Sequence, residues 1–96
     1  MIELRKTREF DRWLLHLKDR QARAKIDIRI RLLSAGHAGD QKAVGEGVHE
    51  LRIHYGPGYR VYFTRRGTEL VIILAGGDKG SQAKDIRLAQ RLSREI

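Results

Sequence analysis

At 96 residues, 41% hydrophobic and 33% charged, the chain is sized for one domain with one modest core and has no room for a separate cofactor domain. Its longest apolar run, Leu70–Ala75, falls far short of the roughly 20 residues of a membrane span, and the absence of cysteine excludes a disulfide framework and any Cys-based metal or iron–sulfur site. The net charge of +8, carried by 14 arginines and 6 lysines against 12 acids and spread evenly over both halves, favours a polyanionic partner and no detachable basic arm.

The opening Met1–Lys6 stretch lacks the basic-then-apolar plan of a secretory signal, so a cytoplasmic location is expected. Ile2–Arg5 is a short candidate edge strand. From Thr7 the pattern turns helical, with Phe10, Trp13, Leu14 and Leu17 on one stripe, Thr7 as N-cap and Glu9 in the first turn. Trp13 is expected as a core anchor. Lys18–Gln21 breaks the stripe and turns the chain back.

Residues Ala22–Ala35 admit two readings. Ala24, Ile26, Ile28, Ile30 and Leu32 alternate with charged residues as in a strand, whereas Ala22, Ile26, Ile30 and Leu33 form one helical face. The length, a capping Asp19 and a stop at Ala35-Gly36 favour the helix. A polar loop follows over His37–Gly47, with a short strand near Lys42–Val44.

Three β-like runs come next: Val48–Tyr55, Tyr59–Arg65 and Glu69–Ala75. The first two connections, Gly56-Pro57-Gly58 and Arg66-Gly67-Thr68, predict an antiparallel meander, and Gly76-Gly77 is expected to end the third run. Ser81 is a candidate N-cap for a last helix reaching Glu95, with Ile86, Ala89 and Leu92 inward. The order β-α-α-β-β-β-β-α makes an α+β domain: an N-terminal strand and αα-hairpin packed on a small, mostly antiparallel sheet, closed by a C-terminal helix.

Alternation sorts the meander into two faces. Leu51, Ile53, Tyr55, Val61 and Phe63 share one. Glu50, Arg52, His54, Arg60 and Tyr62 share the other, expected to be the face without helices. The third run is apolar on both sides and should be covered or central.

Two arginines, a histidine and a tyrosine suit RNA cleavage without metal. That chemistry needs a base for the 2′-hydroxyl, cations for the charge gathering on phosphorus, and an acid for the 5′-oxygen. His54 is the candidate base or acid, Arg52 and Arg60 the candidate phosphate holders, and Tyr62 or Lys79 a proton donor or contact. The bland alternative is a set of surface side chains paired with nearby acids such as Glu50.

Other candidates carry less. His16 reads as structural or solvated, and no His-x-x-x-His pair occurs among His16, His37, His49 and His54, so no zinc site is expected. The acids form no D-x-D pair, which argues against a magnesium nuclease. Gly76–Gly80 before a helix suggests a phosphate loop, but the G-x-x-x-x-G-K-[ST] pattern is missing. Lys79 is the residue there placed to reach a nucleic-acid phosphate.

With these segments laid out, the chain resembles toxins of the RelE/ParE superfamily, in the HigB-like addiction module killer protein branch. The resemblance lies in Gly39–Val48, Glu50-Leu51-Arg52-Ile53-His54, Gly56–Phe63 and Leu74–Gln82, with Thr7, Phe10, Trp13 and Leu14 fitting as well. It covers nearly all of residues 1–96, as a single toxin domain, and implies a helix over Ala22–Ala35.

The resemblance further implies the toxin of a type II toxin–antitoxin pair that arrests translation by cutting mRNA on the ribosome, with no metal or cofactor. Its partners would be a small helix-turn-helix antitoxin, the ribosome and mRNA, with operator DNA reached only through the antitoxin and no membrane involved. Arg52 and Arg60 match strand arginines that such enzymes use on phosphate, and Lys79 falls in the loop before the last helix that they also draw on. The final helix holds no Tyr or His, so the general acid is unassigned. The same fold hosts ParE-like gyrase inhibitors without nuclease activity. An inactive toxin kept as an antitoxin-binding corepressor is a third reading.

Overall fold

Thr7 and Asp19 organise the first half of the chain. In a computed structural model, which describes residues 2–96, Thr7 caps helix α1 (Arg8–Leu15) by accepting from the Phe10 amide, and Asp19 caps helix α2 (Arg20–Ser34) by accepting from the Ala22 amide. The helical reading of residues 22–35 holds. Ala22, Ile26, Ile30 and Leu33 are its buried face, and left-handed Gly36 follows its end. Leu17 lies just beyond α1, yet still packs against the core.

Five strands form one sheet: β1 (Glu3–Lys6), β2 (Gln41–Ala43), β3 (Val48–Ile53), β4 (Tyr59–Arg66) and β5 (Leu70–Asp78). Their spatial order is β1-β5-β4-β3-β2, with β1 parallel to β5 and every other pairing antiparallel. Helix α3 (Gln82–Glu95) closes the chain after a 3-10 turn at Lys79–Ser81. No helix of the described residues is long and apolar enough to cross a membrane.

Both faces of the sheet are covered. Phe10, Ile26, Ile30 and Leu33 from α1 and α2 pack on Leu51, Val61, Phe63, Val71 and Ile73. On the opposite face, Ala89 and Leu92 of α3 pack on Val48, Tyr62, Ile72 and Leu74. The expectation of a face free of helices is therefore corrected. Apolar side chains on both sides of β5 require a cover on each side, and α3 supplies the second.

Residues Gly76 and Gly77 do not end β5, which continues to Asp78 and pairs with Tyr59. Between the Tyr62–Ala75 and Phe63–Ile73 pairs, Leu74 is a bulge residue. Beyond it, a Cβ on Gly76 would overlap the Trp13 ring, and one on Gly77 would overlap the Asp85 carboxylate. Glycine here lets both helices close on the strand, so no phosphate loop forms. Ser81 is the N-cap position of α3, as expected, but its hydroxyl makes no capping hydrogen bond to the helix. Asp78 caps the 3-10 turn instead, accepting from the Gly80 amide at 2.8 Å, while the Ser81 hydroxyl donates to Asp85.

Candidate functional site

Strands β3 and β4 set Arg52 directly opposite Arg60, both on the face that carries Glu50 and Tyr62. Glu50 is 0% exposed, and a buried carboxylate needs partners. Arg52 Nε donates to its Oε1 at 3.2 Å. The Tyr62 hydroxyl at 3.2 Å and the Gln82 amide at 2.7 Å donate to its Oε2. Arg60 Nε stands 3.6 Å from Oε1, an ion pair without a hydrogen bond. One carboxylate thus faces two guanidiniums, and one positive charge is left over.

That surplus lies beside open space. Arg60 keeps 11% of its side chain exposed, and its Nη1 donates to the carbonyls of Gly58 and Tyr59. It lines a depression of about 450 Å³ together with His54, Lys79 and the Gly56-Pro57-Gly58 turn. Gly58 is glycine because its φ is +81°. It lies in van der Waals range of Lys79 and Arg60, since a Cβ there would be 3.5 Å from Lys79 Cβ and 3.6 Å from Arg60 Nη1. The turn therefore brings the strand arginine and the loop lysine to one wall.

The five candidates separate. Arg60, His54 and Lys79 come together around the depression. Arg52 flanks them, half-buried and engaged with Glu50. Tyr62 does not join them, and the expectation that it faces a substrate is corrected. It is 0% exposed beneath α3, and its hydroxyl is spent on Glu50. Burial, then the Glu50 charge and hydrogen bond, push its pKa above the usual value of 10.0.

His54 lies just past β3 with 72% of its side chain exposed, and its Nε2 is 2.5 Å from Asp40 Oδ2. That hydrogen bond is the main reason the Asp40 carboxyl is held below its ordinary range, with Arg52 and Arg29 adding to it. Of the remaining histidines, His49 stacks on Phe63 at 5.5 Å. Burial, with Arg65 nearby, lowers its pKa. His16 Nδ1 is hydrogen-bonded to the Arg12 carbonyl at 2.7 Å. Among the described residues, no three His, Asp or Glu side chains gather as a metal set.

The sequence reading missed Asp40 and Gln82, and it treated Glu50 only as a partner for Arg52. Asp40 had a usable signal. The register pairs Gln41 with Leu51, so the next position back stands opposite Arg52, whose amide donates to the Asp40 carbonyl at 3.0 Å. Gln82 had none, because its partner lies on a distant strand. In chemical terms the arrangement is an open hollow with two cations, Arg60 and Lys79, in its wall and a histidine at its rim.

A family model described as "Phage derived protein Gp49-like (DUF891)" matches residues 12–94. An uncharacterized protein of Haemophilus influenzae is 48% identical over 95 residues, spanning 99% of this chain and 96% of its own length. Among solved structures, a free-state mutant of the E. coli toxin RelE matches with a TM-score of 0.72 over 99% of this chain and 98% of that one. At 13% identity, that likeness is one of fold.

Proposed function

The chain belongs to the Gp49-like family of phage-derived proteins, and from that premise we propose that it is the toxin of a type II toxin–antitoxin pair. Residues 1–96 form a single toxin domain of the HigB-like branch, working in the cytoplasm, where it cuts mRNA on the ribosome. A cognate helix-turn-helix antitoxin neutralises it, and the pair together reaches operator DNA. The RelE-like fold supports this reading, as does the chain's charge of +8. The observation that carries it is the meeting of Arg60, His54 and Lys79 at one open depression, next to a buried carboxylate that offsets only one of two arginines.

In the cleavage step His54 takes the proton of the ribose 2′-hydroxyl as the bond from O2′ to phosphorus forms. The bond from phosphorus to O5′ breaks, leaving a 2′,3′-cyclic phosphate and a 5′-hydroxyl. Arg60, backed by Arg52, holds the non-bridging oxygens as charge builds on them. Lys79 gives a proton to the departing 5′-oxygen, which leaves as the 5′-hydroxyl, and takes one back from water.

Primer extension on a defined mRNA, free or on programmed ribosomes, tests the reading with wild type, Arg60→Ala and Lys79→Ala. New 5′ ends are expected only in the ribosome lane. Lys79→Ala, an exposed position that leaves the Glu50 cluster intact, should cut about 10²-fold more slowly. Intact mRNA from folded protein that still arrests growth overturns the nuclease and points to gyrase. No arrest in the absence of antitoxin points to a corepressor.

A further inference from the structure

We propose that Asp40 is a positioning residue for His54, holding the imidazole by Nε2 so that Nδ1 is the nitrogen presented to the ribose hydroxyl. The inference rests on reading the depression as an RNA-cleaving site. A neutral imidazole has one N–H and one lone pair, and the hydrogen bond made by one nitrogen fixes the role of the other. The Asp40 carboxylate can only accept. Its bond to Nε2 therefore places the proton there and leaves Nδ1 as the base. His54 is among the residues that line the depression with Arg60 and Lys79, and Nδ1 is the ring nitrogen left free to serve it.

Asp40 is held in place for this. Its backbone carbonyl accepts from the Arg52 amide at 3.0 Å and from Arg29 Nη2 at 3.3 Å. Arg29, reaching out from α2, also donates to the Ala38 carbonyl at 3.1 Å and to the Arg52 carbonyl. One guanidinium thus ties the loop carrying Asp40 to the strand end carrying His54. Gly39 permits the approach, with φ at +68° and a would-be Cβ only 3.1 Å from Arg29 Nη2.

The division of labour within Asp40 points to function. Its backbone makes the bracing contacts, whereas its side chain has His54 as its hydrogen-bond partner among the described residues. An acid that merely braced the loop would not need the carboxylate. During cleavage, Nδ1 accepts the 2′-hydroxyl proton as O2′ bonds to phosphorus and O5′ leaves. Asp40 then faces the imidazolium so formed, as the third group of a nucleophile–base–orienter arrangement does. The proton passes on to water.

The test uses the full chain as wild type, Asp40→Ala, Asp40→Glu and Lys79→Ala. Long-range ¹H–¹⁵N NMR of the free protein, above the histidine titration range, reads which His54 nitrogen carries the proton. Ribosome-dependent cleavage is measured as kcat and KM separately. Wild type should show the Nε2–H form and Asp40→Ala a mixture. Asp40→Ala should lose about tenfold to a hundredfold in kcat with KM unchanged, and Asp40→Glu should regain part of it. An unchanged His54 spectrum in Asp40→Ala overturns the proposal. So does full cleavage by Asp40→Ala while Lys79→Ala is impaired, a result that leaves the site itself standing. No cleavage by folded wild type overturns the site and the positioning role together.

Discussion

Glu50 gathers Arg52, Arg60, Tyr62 and Gln82 around one buried carboxylate, and each partner plays a different part. The arginines supply charge, while Tyr62 and Gln82 satisfy the lone pairs that the arginines leave. Removing the acid strands two guanidiniums, so Glu50→Ala should lose about 3–5 kcal/mol. Removing only the tyrosine hydroxyl forfeits one hydrogen bond to a charged group, and Tyr62→Phe should lose about 2 kcal/mol. The two roles available to Tyr62 part here. A tyrosine that donated a proton to RNA would abolish cleavage as phenylalanine. A tyrosine that holds Glu50 under α3 would lower the urea midpoint and leave cleavage per folded molecule unchanged. The second outcome is expected. Urea melts run beside the primer-extension assay decide it.

Strand β5 shows at the level of elements what the sequence could and could not convey. Its apolar residues on both sides were visible in the alternation, and they already demanded a cover on each face. Which helix covers which face was not visible, because Glu50, Arg52 and Tyr62 look like a solvent-facing set until Gln82 and Leu92 of α3 are seen beside them. The glycine pair misled for a related reason. Gly76-Gly77 is a turn signal when only neighbours in the chain are considered, yet its cause is Trp13 on one side and Asp85 on the other. Residues far apart in sequence carry that information. By contrast Thr7, Asp19 and the Ile26–Leu33 face were legible, since caps and helical stripes are local. The tight fit makes a prediction: alanine at Gly76 must displace the indole, and overpacking of this kind costs about 1–3 kcal/mol. A thermal melt of Gly76→Ala should show that loss. An unchanged melting temperature would mean that Trp13 can move aside.

Over the whole molecule, the charge of +8 describes two different things that composition cannot separate. Some cations are paired with acids away from the depression, as Arg5 is with Glu3 and Arg94 with Glu46. Others face open space, and Lys79 at the depression is one of these. Salt dependence distinguishes them, because each phosphate contact to a single strand contributes about 0.7 to the slope of log K against log salt. Fluorescence anisotropy with a short single-stranded RNA should therefore give a steep negative slope for wild type. Lys79→Ala should be shallower by about 0.7. Arg5→Ala is the matched control, losing the same formal charge from β1, the sheet edge opposite the β3–β2 side, at a position already paired with Glu3. Its slope should stay near that of wild type. Equal shifts in the two variants would mean that RNA responds to net charge alone, and the depression would lose its standing as the place where phosphate is held. A shift confined to Lys79→Ala would locate the contact at the wall it shares with Arg60 and His54, whether or not cleavage follows.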